Sequence, residues 1–207
     1  YFSNPDNPMG TFHSKKDVQN FIDEVPDDTI LCLDEAYSDF VRQDELADLD
    51  TSRRNVVRFR TFSKAYGLAG LRVGYAIGNS TLISSFNKVR NHFGVNKIGQ
   101  IAALAALEDQ EYLRKTIKAV GKSKLKIKSI FRELGFSTLD SYTNFVAINM
   151  GKDASYAKKI LTELIKNKIF VRMPGVAPLN SFIRVSAGQE EDLRNLEKVL
   201  AEIMRRN

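Results

Sequence analysis

Thr61-Phe62-Ser63-Lys64-Ala65-Tyr66-Gly67-Leu68-Ala69-Gly70-Leu71-Arg72 is crowded with small residues and continues a run, 56–62, rich in β-branched and aromatic side chains. That run predicts a strand. In an open α/β sheet the carboxyl ends of the strands face the ligand crevice. Lys64 is therefore expected to project into a site, where Thr61, Ser63 and Arg72 can gather round a phosphate. The competing reading is a surface lysine beside a tight turn. Taken alone that reading wins, since lysine is most often exposed and a Ser-Lys pair is common by chance.

Outward from this stretch, residues 29–33 form an apolar run too short for a helix and predict a second strand. Before them Ser14 caps a helix in which Val18, Phe21, Ile22 and Val25 share a face, closed by Pro26. Residues 73–77 predict a third strand, and Leu82, Ile83, Phe86 and Val89 return to helical spacing. Strands alternating with helices imply an α/β fold with an open, mainly parallel sheet flanked by helices. From 98 to 134 the pattern is helical, with Leu113, Ile117, Val120, Ile127, Phe131 and Leu134 on one side and lysines on the other; Gly121 is expected to split it into two helices. After Gly135 the order is strand 144–149, helix 155–167, strands 169–172 and 182–186, and a final helix beyond Gly188, a small α+β unit. The expected division is 1–105 and 106–207, placed inside helical sequence because no Gly, Ser or Pro-rich linker occurs there.

A chain of 207 residues with 43% hydrophobic content can bury a core. Its 31 basic and 25 acidic residues leave a net charge of +6, compatible with nucleic acid or with anionic metabolites. A single cysteine, Cys32, excludes a disulfide framework, fits a reducing cytosol and is expected in the core. No apolar run reaches the roughly 20 residues of a membrane span, so no membrane partner is expected. Tyr1-Phe2 reads as the end of a strand entering a Pro-rich loop, so the chain is expected to open partway through a larger fold.

Two further strand ends carry polar chemistry. Asp34 closes the strand at 29–33, where a carboxylate can pair with a protonated pyridine nitrogen and keep the ring an electron sink. Tyr37 can donate to a phenolic oxygen. A helix N-cap at Asp34 and a packed aromatic at Tyr37 are equally good readings when each is taken singly. The third element is Asn4-Pro5-Asp6-Asn7-Pro8-Met9-Gly10, which read alone is an ordinary turn.

Asn-Pro-Asp-Asn-Pro-Met-Gly at 4–10, Asp-Glu-Ala-Tyr at 34–37 and Thr-Phe-Ser-Lys-Ala-Tyr-Gly-Leu-Ala-Gly-Leu-Arg-Val-Gly-Tyr at 61–75, in this order, resemble the fold-type-I pyridoxal-phosphate aminotransferases, the histidinol-phosphate aminotransferases most of all. The resemblance covers essentially the whole chain. It implies a part of the large pyridoxal-phosphate-binding domain at 1–105 and the small domain at 106–207. It implies that Lys64 holds pyridoxal 5'-phosphate as a Schiff base and later moves the substrate's α proton. Asp34 would bind the ring nitrogen, Asn7 and Tyr37 the phenolic oxygen, and Thr61, Ser63 and Arg72 the phosphate. Met9 departs from the family, which usually has threonine there; the polar ligand Asn7 is retained.

Arg172 ends one predicted strand and Arg184 lies within another, amid apolar neighbours, so each needs an anionic partner. An internal salt bridge is the plain reading. The resemblance implies instead that Arg172 and Arg184 grip the acidic group of the substrate. It further implies histidinol phosphate or another phosphorylated or carboxylated amino donor, 2-oxoglutarate as acceptor, a place in histidine biosynthesis, a cytoplasmic homodimer and ping-pong kinetics. Threonine-phosphate decarboxylase and broad or aromatic aminotransferases share the pattern. A different reading is a chain without catalysis of its own, because the resemblance begins after the family's N-terminal portion.

Other chemistries find less support. Lys115, Lys118, Lys122, Lys124, Lys126 and Lys128 read as a solvated helix face, with no interleaved aromatics to stack on bases, so nucleic acid is not expected. His13 and His92 lack neighbours at ligand spacing, so no metal is expected. The glycines at 67, 70, 74 and 78 have the wrong intervals for a dinucleotide fingerprint, no Gly-x-Ser-x-Gly elbow occurs, and the series is expected to serve close backbone packing.

Overall fold

The computed structural model describes residues 1–206, which pack as two compact units. The first comprises Tyr1–Asp6 and Phe12–Ile117; the second comprises Asn7–Thr11 and the chain from Lys118 onward.

In the first unit β1 (Phe2–Ser3), β2 (Leu31–Asp34), β3 (Val56–Thr61) and β4 (Gly74–Gly78) form a sheet in chain order. The first three strands are parallel and β4 is antiparallel to β3, giving the mainly parallel α/β sheet that the sequence implies. Parallel neighbours need a crossover. Helix α1 (Lys15–Glu24) lies in the first, started by Ser14, whose hydroxyl accepts from the Asp17 amide at 3.2 Å. Its Val18 and Ile22 are buried with Leu31, Leu33 and Val56, whereas Phe21 is exposed at the rim and stacks on Phe2. Cys32 is only half-buried, because β2 alternates its faces and positions 31 and 33 take the core side. The register sets Asp34 beside Phe59 and Thr61 beside Gly74, which brings the acidic end of β2 next to the hydroxyl-bearing end of β3. A Cβ on Gly74 would meet the Arg60 carbonyl at 2.8 Å, and one on Gly78 the Val56 carbonyl at 2.8 Å, so these glycines permit the close approach of β4.

Helix α2 (Ser80–Ser85) is shorter than its apolar spacing predicts and tightens into a 3₁₀ turn at Phe86–Lys88. Helix α3 (Lys97–Glu108) is capped by Asn96, which accepts from the Gly99 amide at 2.7 Å. Its Ile98, Ile101 and Leu104 are exposed, as are Val89 and Phe93 before it.

The helical stretch divides at Asp109, not at Gly121. Asp109 leaves helical geometry with ψ 67° and its carboxylate accepts from the Tyr112 amide at 2.9 Å, starting α4 (Gln110–Glu133). Gly121 sits inside α4, and a side-chain carbon there would have nothing within 4 Å. Gly121→Ala is therefore expected to stabilise the protein by about 1 kcal/mol, through backbone entropy alone. An unchanged or lowered urea midpoint would contradict this.

The second unit is α+β. Strands β5 (Ser137–Thr138), β6 (Phe145–Asn149) and β7 (Phe182–Ser186) form an antiparallel sheet. Helices α5 (Ala154–Lys166) and α6 (Glu190–Arg205) and the second half of α4 pack on it through Ile127, Phe131, Ile148, Ile160, Leu164 and Leu200, all below 2% exposed. The expected strand at 169–172 is reduced to a single bridge at Arg172. Helix α5 ends with Lys168 in the left-handed region at φ 62°, the Ile169 amide reaching back to the Leu164 carbonyl at 2.9 Å. This turn and the following Pro174 leave little extended chain.

The lysine face of α4 is not solvated throughout. The Lys124 ammonium is half-buried and donates to the Ser141 carbonyl at 2.7 Å; burial first, then the neighbouring Lys128 charge, pull it down to about 8. Its folded value lies below the unfolded one of 10.5, so between about 8 and 10.5 the unfolded chain holds a proton that the folded chain has released. Stability from this group thus rises with pH through that window, and below it the cost of the buried charge is complete. Lys124→Met is expected to be more stable than the parent at pH 7 and to lose that advantage by pH 10. Urea midpoints of the two proteins that differ by the same amount at both pH values would refute the assignment.

Candidate active site

In the first unit the carboxyl ends of β2 and β3 carry six of the predicted residues. Beyond Thr61 the chain is knotted locally: the Thr61 hydroxyl accepts from the Ser63 amide at 3.0 Å, the Leu68 amide bonds the Phe62 carbonyl at 2.9 Å, and Gly67 adopts φ +73°. Phe62 and Ala65 are buried, and they alternate with Ser63 and Lys64, which are half-exposed. The knot therefore anchors on apolar residues and turns its polar ones outward. Lys64 Nζ lies 5.2 Å from the centre of the Tyr37 ring, and Tyr37 itself is 6% exposed. Lysine and phenol, 27 places apart in sequence, are neighbours.

Asp34 points one carboxylate oxygen at the Ala36 amide, 2.9 Å away, and the other accepts from the Tyr1 hydroxyl. The Tyr1 hydroxyl is pushed up to about 12, first by that hydrogen bond, then by desolvation and the carboxylate charge, so it remains a donor across the neutral range. Arg72 sits at φ 56°, a left-handed conformation uncommon for a residue with a side chain, and donates to the Ala69 carbonyl at 2.9 Å. Its guanidinium is exposed and carries further donors for an anion.

The second unit holds the other predicted residues. Arg172 and Arg184 face each other across an antiparallel bridge, with amide to carbonyl distances of 3.1 and 2.7 Å in the two directions. Directly opposed residues project to one side of a sheet. Both side chains line a cavity of about 270 Å³ with Pro8, Met173 and Pro174. The Arg184 guanidinium lies 4.7 Å from the Phe145 ring centre and donates to the Asn7 side-chain oxygen, while its Nε is buried without a partner. No acidic side chain pairs with Arg172 or Arg184 among the described ion pairs, so the internal salt bridge that is the plain reading of their sequence is not what holds them. Gly10, at φ +79°, packs against Ser141, Thr143 and Phe145, which seats the Asn7 loop on the same strand as that ring.

Sequence reasoning missed Glu35, Arg58 and Arg60. Glu35 is 3% exposed and takes Arg58 Nη1 at 3.0 Å and Arg60 Nε at 2.9 Å. The signal was present: two arginines at alternate positions of an otherwise apolar strand demand an anion, the argument applied above to Arg184.

The donor set of the first unit is an amine, a phenol, a carboxylate, two hydroxyls and a guanidinium, complementary to an aldehyde, a phenolic oxygen, a ring nitrogen and a phosphate. The second offers paired guanidinium groups to an anion. Residues 1–200 match the family of class I and II aminotransferases. Histidinol-phosphate aminotransferase 2 of Hydrogenovibrio crunogenus is 38% identical over 99% of this chain and 55% of its own length. The histidinol-phosphate aminotransferase of Caldicellulosiruptor saccharolyticus is 37% identical over 99% and 57%. The crystal structure of histidinol-phosphate aminotransferase from Sinorhizobium meliloti in complex with pyridoxal-5'-phosphate superposes with a TM-score of 0.96 at 44% identity, covering 99% of this chain and 57% of that one. The chain thus spans a little over half the length of these relatives, and over that span its fold matches that of the Sinorhizobium meliloti protein: it belongs to the class I and II aminotransferase family.

Proposed function

We propose that this chain is the part of a pyridoxal-phosphate-dependent aminotransferase that holds the cofactor and the substrate anion, with histidinol phosphate as amino donor and 2-oxoglutarate as acceptor. The observation that carries the reading is the placement of the Lys64 amine beside Tyr37, at strand ends that also bear Asp34, Thr61 and Ser63. When bound, pyridoxal phosphate supplies the electron sink that stabilises negative charge at the substrate's α carbon. Asp34 would hold positive charge at the ring nitrogen, Tyr37 would donate to the phenolic oxygen, and Thr61, Ser63 and Arg72 would hold the phosphate; Asn7, in the second unit, would offer its side-chain N–H to a ligand. Lys64 would hold the cofactor through its amine and, once freed by the amino donor, would serve as the base that takes the substrate's α proton. Arg172 and Arg184 grip the donor's phosphate in one half-reaction and a carboxylate of the acceptor in the other, so turnover is ping-pong. The first unit serves as part of the large domain and the second as the small domain. The exposed apolar residues of α3 support a homodimer; no described helix is long and apolar enough to cross a membrane.

The test is to supply the cofactor-loaded protein with histidinol phosphate and 2-oxoglutarate and measure glutamate, with threonine phosphate and an aromatic amino acid as rival donors. Glutamate formed fastest from histidinol phosphate supports the proposal. Carbon dioxide released from threonine phosphate, or preference for the aromatic donor, would replace it.

A further inference from the structure

The backbone ladder between β2 and β3 closes at Asp34 and Phe59, with a last bond from the Glu35 amide to the Phe59 carbonyl at 2.9 Å. Past that point the two chains part, one into the turn holding Tyr37, the other into the knot holding Lys64. The cross-link is continued by side chains. The Glu35 carboxylate, between Asp34 and Tyr37 in sequence, spans to Arg58 with one oxygen and to Arg60 with the other, at 3.0 and 2.9 Å. Arg60 immediately precedes Thr61. Arg58 is 3% exposed and also donates to the Ala47 carbonyl at 2.9 Å and to the Asp48 carbonyl, which fixes it further. Asp39, whose carboxyl burial pushes up, and the Tyr75 hydroxyl also face Arg60.

We propose that Glu35, Arg58 and Arg60 form a positioning clamp that locks the Asp34–Tyr37 turn to the Thr61–Lys64 loop and so sets the geometry between the cofactor's ring ligands and its lysine. A buried ion triad is a poor means of gaining stability, since apolar residues of similar volume commonly do as well. Its distinctive property is direction: Arg58 and Arg60 donate to different oxygens of one carboxylate, so the rotamer of Glu35, and with it the turn on either side, is specified. None of the three touches the groups expected to react. Their effect is exerted through Asp34, Tyr37 and Lys64. The link to the cofactor rests on the function proposed above; the clamp itself does not.

The experiment uses the full chain as wild type, Glu35→Gln and Arg60→Met. Arg60→Met keeps the Glu35 to Arg58 pair and so guards against simple unfolding. Peptide-resolved hydrogen exchange is read over 34–38 and 61–67, with 145–149 and 154–166 of the second unit and 18–22 of α1 as references. Pyridoxal phosphate is titrated in parallel by absorbance. In both variants the two site peptides are expected to exchange roughly tenfold faster while the references hold. The half-saturating pyridoxal phosphate concentration is expected to rise by about tenfold, with a displaced absorption maximum. Site peptides that exchange as in wild type, or loosening shared equally by the references, would overturn the clamp. Exchange that changes as expected with unaltered cofactor affinity and spectrum would overturn its positioning role. A wild type that takes no cofactor overturns the proposed function instead, and the exchange comparison then decides the clamp alone.

Discussion

Lys64→Ala is expected to lose the covalent cofactor and to lower transamination by at least about 10³-fold, since in the proposed function one amine both carries the cofactor and moves the α proton. The geometry makes this a local effect. Lys64 is half-exposed, and its neighbours Phe62 and Ala65 anchor the knot, so truncation at Cβ removes an amine without opening the core. Thermal stability should stay within about 0.5 kcal/mol of the parent. Single-turnover measurement of the amino half-reaction checks the prediction; a variant retaining a tenth of the parental rate would show that another base does the work.

Arg184→Met is expected to have the second largest effect, about 2–4 kcal/mol in kcat/KM, or roughly 10²–10³-fold, felt with the proposed donor and acceptor alike because both present an anion. Arg184 is held by the Phe145 face and the Asn7 oxygen and still has a buried Nε with no partner, a donor kept in reserve for a ligand. Methionine preserves the apolar contact with the ring. Arg184→Lys should recover only part of the loss, because an ammonium cannot reproduce the planar fork. Cofactor affinity measured alongside separates the roles: a fall matching that in kcat/KM would place Arg184 in the cofactor site and not in substrate recognition.

Much of this arrangement is legible in the residues. The apolar runs at 29–33 and 56–62 and the Ser14 cap each produced the element expected, because short β-branched runs and a hydroxyl before an amphipathic repeat are local signals. The 169–172 strand failed for a local reason too weak to see in composition, a left-handed lysine where glycine is usual. Gly121 was over-read: one glycine costs a long helix about 1 kcal/mol, less than its packing returns, whereas an aspartate able to cap the next helix ends the previous one. The candidate site residues were read from motif order, and the structure brings two of them, Lys64 and Tyr37, side by side. Glu35 was not so read, since Arg58 and Arg60 at alternate strand positions call for an anion without showing which carboxylate supplies it. The burial of Lys124 was hidden likewise, because a lysine on a charged helix face looks like its solvated neighbours.

The most direct test of the account is to incubate the purified chain with pyridoxal phosphate, reduce with borohydride and map the product by peptide mass spectrometry. The account predicts one adduct per chain, on Lys64, absent from Lys64→Ala. No adduct, or label scattered over many lysines, would contradict it.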